Sequence, residues 1–168
     1  MNRILSRLLV VLLVAPLLVS LAPATADEPN EIIVGQTAED TSLDPALIGS
    51  GTGLNVLLNV YDLLMMVDEQ GVLQPALATS AEPVDDTTWE VRLREGVTFQ
   101  NGDPLDADAV KWSIDRVIND ETSVWRPYIR QLLSVEAVDP LTVRLHTDGP
   151  APTIMEALQV VLIQSPRY

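Results

Sequence analysis

Asp103, Asp106 and Asp108 lie almost side by side, and a group of carboxylates is what a hard cation needs. Their spacing departs from a calcium loop, which sets acids at alternating positions, a Gly at the sixth and a late Glu. Helix capping explains two of the three, so no metal site is assigned to them. The run Gly49-Ser50-Gly51-Thr52-Gly53 could cradle a phosphate with backbone N–H groups. It lacks the Lys-Ser/Thr that follows a nucleotide loop, and it reads as a flexible loop before a helix. A helix N-terminus beside such a loop could still offer N–H groups to a ligand carboxylate. His146 is the single histidine. It alternates with Val143 and Leu145, which sets it with Thr142 and Arg144 on the polar side of a strand, as a solvated side chain. A Ser-His-Asp arrangement would have to be built around that one residue, and a zinc site would need mostly carboxylates. There is no cysteine, which removes disulfides, thiolate metal sites and a thiol nucleophile together. The sequence therefore yields no catalytic residue, no metal ligand set and no cofactor motif.

The elements that would hold a site are clearer. Residues 31–37, EIIVGQT, read as a short strand. Residues 38–45 are polar and end in the turn signal Asp-Pro. Thr52 is a plausible N-cap for a helix over 54–66, whose apolar residues cover most of its circumference and predict burial on several sides. Residues 72–78 read as extended, with Pro75 marking an edge. Asp85-Asp86-Thr87 reads as a turn. Trp89, Val91 and Leu93 then alternate with Glu90, Arg92 and Arg94, the pattern of a half-buried strand. Gly96 ends it, Val97 and Phe99 point one way, and Asn101-Gly102 turns the chain. Asp106 caps a helix with a buried stripe of Ala107, Val110, Ile114, Val117 and Ile118, and Asp108 sits favourably at its positive end. A short helix over 125–133, a hairpin of 135–138 with 142–146 around Asp139-Pro140, and a last helix over 153–163 complete the set. Trp89 faces a core, Trp112 lies off its helix's main stripe as a surface or interface residue, and Trp125 is unassigned.

Bulk properties narrow the class. Arg3 and Arg7, an apolar run over 8–21 and Ala24-Thr25-Ala26 have the layout of a secretory signal peptide over 1–26. The run is shorter than the roughly 20 residues a membrane span needs, so no stable membrane insertion is expected after its removal. All 24 acidic residues but only 8 of the 10 basic ones lie beyond residue 26, which leaves 27–168 as one domain with a net charge of −16. Such a chain is repelled by nucleic acid and by anionic lipid.

The residues then support a resemblance. TSLDPA at 41–46, NVYDLLMMVDEQGVLQPALATS at 59–80 and WEVRLREGVTFQNGDPLDADAVKWSIDR at 89–116 resemble the extracytoplasmic solute-binding proteins of peptide, oligopeptide and nickel importers of the ABC type. Leu93, Arg94, Gly96, Phe99, Gly102, Pro104 and Arg116 carry the strongest part of the match. The family usually caps the helix with Thr and has Asp three residues later. Here Asp106 caps and Ala109 follows, so the reciprocal capping bond is lost and the helix start is weaker.

The resemblance implies a mixed α/β fold, with 27–168 as the N-terminal part of the first lobe of a two-lobed periplasmic binding protein. It implies a non-enzymatic role, in which a peptide or other small solute is captured between lobes and delivered to an inner-membrane ABC permease. In the family the loop after the first strand lies at the cleft. That makes Glu39, Asp40 and Thr41, with Ser50, Gly51 and Thr52, the candidate ligand-binding residues. A chain with one wall of the cleft should bind solute weakly and should expose strand edges prone to aggregation. Two other readings stay open: a standalone exported adaptor built from a half-lobe, and, less well supported without a Gly-x-Ser-x-Gly elbow, a small exported hydrolase.

Overall fold

The computed structural model describes residues 33–37 and 42–167. The signal peptide expected over 1–26 and the candidates Glu39, Asp40 and Thr41 lie outside those residues. The chain divides at Gly35/Gln36 into two units, and all the strands and helices described belong to the second.

Its centre is an antiparallel sheet of four strands in the order β3-β4-β6-β5: β3 (Ala78–Asp85), β4 (Thr88–Leu93), β5 (Leu132–Asp139) and β6 (Thr142–Thr147). Two hairpins make it, β3–β4 turning at 86–87 and β5–β6 turning at 140–141, and they meet where Val91 pairs with Val143. The alternation in β4 and β6 does what it predicts. Val91, Val143 and Leu145 are completely buried on one face. On the other face, Glu90 accepts from Arg92 at 3.1 Å and from Arg144 at 3.1 Å. Helix α2 (Ala107–Asn119) covers the apolar face with Val110, Ile114 and Val117. Asp106 caps it as expected, accepting from the Ala109 N–H at 2.8 Å.

Several expectations are corrected. Residues 33–37 carry no strand, and Ile33 and Val34 are exposed. The helix expected over 54–66 is α1, Gly51–Leu57, capped by Ser50 rather than Thr52: the Ser50 hydroxyl accepts from the Gly53 N–H at 2.9 Å. Asn59 ends it by donating its amide back to the Asn55 carbonyl at 2.6 Å. Beyond it, the Leu63 and Leu64 carbonyls accept from Leu77 and Ala78, and Met65 opens β1 (Met65–Val67), which pairs with β2 (Leu73–Pro75). Long-range backbone pairing thus overrides a helical apolar pattern. The burial expected on several sides is partial: Leu57, Leu63 and Leu64 are buried, whereas Leu58 and Val60 are each 50 % exposed. The short helix over 125–133 is a single 3₁₀ turn, Arg126–Ile129, because Leu132 already pairs in β5. The last helix is α3 (Ile154–Ala157) with a 3₁₀ turn over Leu158–Val160, and Ile163 leaves it to donate to the Asp62 carbonyl at 3.0 Å.

The tight turn between Phe99 and Asp103, where the Gly102 N–H donates to the Phe99 carbonyl at 2.9 Å, depends on Gly102. Its φ is +87°, and a Cβ there would meet nothing within 4 Å, so only the left-handed backbone would resist a side chain. Gly102→Ala is expected to cost about 1–2 kcal/mol of unfolding free energy from that conformation alone. Urea denaturation of the two proteins checks it, and an unchanged midpoint would show that the turn relaxes.

Candidate functional site

The segment Ser42–Ala46 is held from three directions. Within it, the Ser42 hydroxyl accepts from the Asp44 N–H at 3.0 Å, and the Asp44 carboxylate accepts from the Ala46 N–H at 3.0 Å. From α2, Arg116 donates to the other oxygen of Asp44, a pair only about a quarter exposed. The same guanidinium donates to the Gln164 side-chain oxygen at 3.2 Å and lies 5.7 Å from the centre of the Trp112 ring. From the 3₁₀ side, the Trp125 indole N–H donates to the Pro45 carbonyl at 2.9 Å, and the Val124 N–H to the Ala46 carbonyl at 3.1 Å. This gives a physical reason for the Leu-Asp-Pro-Ala run and for the arginine near the end of α2. Each is the other's anchor across 72 positions of sequence. Trp125, unassigned from sequence, is a buried strut.

The clamp also reaches Gly49. Gly49 sits against Val124 so closely that a Cβ would lie 3.3 Å from the Val124 methyl. Ser50 and Gly51 are exposed and Thr52 is half-buried, and the three form the entry to α1. Ser50 spends its oxygen on the cap, while Thr52 donates to that oxygen at 3.3 Å. The structure therefore brings Ser50, Gly51 and Thr52 together on one exposed loop–helix junction. It is positioned by residues that sequence reasoning did not put at the site: Asp44, Arg116, Val124 and Trp125.

A cavity of about 570 Å³ opens elsewhere on the unit, bordered by Tyr61, Leu77, Phe99, Gln100, Asn101 and Ser165 among others. None of the candidates Ser50, Gly51 or Thr52 lines it. Its rim is tied together by Asp103, which accepts from Asn101 at 2.9 Å, from Ser165 at 2.9 Å and from Arg167 at 2.5 Å. The Ser165 hydrogen bond above all, then the bond and charge of Arg167 and the Asn101 amide, hold the Asp103 carboxyl below its usual range. One of the three clustered aspartates thus cross-links the turn to the segment Gln164–Arg167. The sequence signal for this was weak, since the partners lie more than 60 positions away.

For chemistry, His146 reaches Glu136 at 3.4 Å on the solvent face of the sheet, away from both regions. No three His, Cys, Asp or Glu side chains among the described residues converge as a metal site would require. No helix of the described residues is long and apolar enough to cross a membrane.

Comparison with known proteins places this geometry. Residues 72–167 match the family model of bacterial extracellular solute-binding proteins, family 5 Middle. The glutathione-binding protein GsiB of Escherichia coli O1:K1 / APEC is 31% identical over 133 residues, which are 78% of this chain and 26% of that protein. Among solved structures, a nickel ABC transporter protein from Bacillus halodurans is 34% identical with a TM-score of 0.65, over 76% of this chain and 26% of the other. NikA from Brucella suis, solved with Fe(III)-EDTA, is 30% identical with a TM-score of 0.67, over 74% and 26%. The chain spans about a quarter of the length of the relatives it matches. The mixed α/β unit is one part of their fold, and the chain belongs to the family 5 bacterial extracellular solute-binding proteins.

Proposed function

We propose that this chain contributes part of one wall of a solute-binding cleft in a periplasmic substrate-binding component of an ABC importer. It follows that the chain is exported by a signal peptide over 1–26, turns over no substrate, and hands its ligand to an inner-membrane permease. The ligand class is a short peptide or a compound of similar size. The glutathione-binding relative supports that class, while the nickel-transporter and Fe(III)-EDTA relatives keep small chelates within it.

The observation that carries this reading is the contrast inside the 42–52 segment. Its first half is locked by Arg116, Trp125 and Val124, whereas Ser50 and Gly51 in its second half are exposed. Loops that carry function are exposed loops held by a rigid scaffold. Ser50, Gly51 and Thr52 are the residues proposed to meet ligand, together with Glu39, Asp40 and Thr41. A single wall buries little of any ligand, and affinity depends on burying most of it. Contact by these residues alone is accordingly in the millimolar range.

Two-dimensional NMR of the isotopically labelled protein with millimolar glutathione tests the assignment. Shifts are expected at the backbone amides of Ser50, Gly51 and Thr52. Shifts confined to Phe99, Gln100, Asn101 and Ser165 would move the site to the 570 Å³ cavity and overturn it.

A further inference from the structure

Most lysines and arginines among the described residues are spoken for. Among the described residues, Arg92 and Arg144 pair with Glu90, Lys111 with Asp115, Arg116 with Asp44 and Arg167 with Asp103, while Arg94 donates to the Ala76 carbonyl at 3.1 Å. Arg126 and Arg130 are the exceptions. Both are exposed, and among the described residues neither guanidinium has an ion pair or hydrogen bond.

They are also together. Arg126 opens the 3₁₀ turn and Arg130 follows its end, and the two flank a groove of about 290 Å³. Its other walls are Ile118, Ile129, Leu132 and Leu133. Ile129 and Leu132 are buried and form the floor, whereas Leu133 stands on the rim at 58 % exposure. An apolar floor between two unpartnered guanidiniums suits an apolar side chain flanked by carboxylates. Arginine holds a carboxylate through two parallel N–H bonds, and arginine is enriched where proteins meet.

We propose that this groove docks an acidic segment of another protein, one that places a leucine-like side chain on Ile129 and Leu132 between two carboxylates held by Arg126 and Arg130. Charge complementarity selects that occupant. A second copy of a chain whose residues beyond 26 carry −16 would be repelled as a whole. For a short segment the two arginines dominate instead, because charges beyond about 8 Å are screened at physiological salt. The contact therefore has an unusual salt dependence: it is weak at very low salt, where the whole acidic chain repels, strongest at intermediate salt, and weak again at high salt.

The test is fluorescence anisotropy of the purified protein with a rhodamine-labelled peptide of sequence Glu-Leu-Leu-Glu, against Gln-Leu-Leu-Gln as control. The acidic peptide should bind at least tenfold more tightly than the control. The double change Arg126→Gln/Arg130→Gln should remove that preference while leaving thermal unfolding unaltered, since neither side chain has a partner among the described residues. Leu133→Ser should weaken the acidic peptide about threefold, an effect that simple charge attraction would not give. Equal binding of the two peptides, binding indifferent to the double change, or no binding up to about 1 mM would each overturn the proposal. So would a dimer seen by sedimentation that the double change dissolves without any peptide binding, which would assign the groove to a second copy.

Discussion

Leu145→Ala should lower the free energy of unfolding by about 3–4 kcal/mol. Leu145 is completely buried in β6, an inner strand, and pairs with Trp89 on one side and Val135 on the other. It belongs to the same core cluster as Val91, Val143 and Ile114. Truncation removes three carbons' worth of transfer free energy and leaves a cavity that a strand paired on both sides cannot close. A domain of this size has a total stability of roughly 5–15 kcal/mol, so the variant should unfold at a much lower urea concentration with an unchanged slope. A loss below about 1 kcal/mol would mean the sheet and α2 are not packed as described.

Arg116→Met is expected to cost about 2 kcal/mol. Fully exposed ion pairs contribute less than about 1 kcal/mol, and removing one partner of a fully buried pair costs about 3–5. The Arg116–Asp44 pair lies between, with side chains 22% and 26% exposed. Methionine keeps much of the apolar stem but loses the bonds to Asp44 and Gln164 and the contact over Trp112. A double-mutant cycle with Asp44→Asn separates the pair from the rest and should show a coupling of about 1 kcal/mol or more. The change should also loosen the Ser42–Ala46 segment, visible as faster amide exchange at Ala46. A coupling near zero would leave the 42–52 loop without its main anchor.

How far the sequence revealed this architecture depended on whether an element's partners were local. Helix α2 was legible because its cap, its stripe and its end all lie within 106–120. Strands β4 and β6 were legible because strict alternation has one structural meaning, and the β5–β6 turn because Asp139-Pro140 announces it. Strand β3 was missed over 79–85 because it is polar and holds Pro83, which an edge strand tolerates. The 54–66 segment misled because its leucines fit helical spacing, whereas Leu63 and Leu64 are claimed by the backbone of Leu77 and Ala78.

The candidate site divides along the same line. Ser50, Gly51 and Thr52 were named from the loop chemistry and a resemblance, and they fall together on an exposed junction. Their supports were invisible, since Arg116, Val124 and Trp125 are brought to the 44–49 segment only by the fold. The cavity rim was equally hidden, because Asp103 looks like one member of an acidic cluster until Ser165 and Arg167 close on it.

If these residues belong to a solute-binding cleft and supply only part of one wall, calorimetric titration of the purified chain with glutathione is the most direct test. No saturable heat is expected below millimolar concentration, together with the amide shifts at Ser50, Gly51 and Thr52 that mark the contact. A stoichiometric transition with a dissociation constant below about 10 μM, near −7 kcal/mol on the usual scale, would contradict it by showing that this chain encloses its ligand alone.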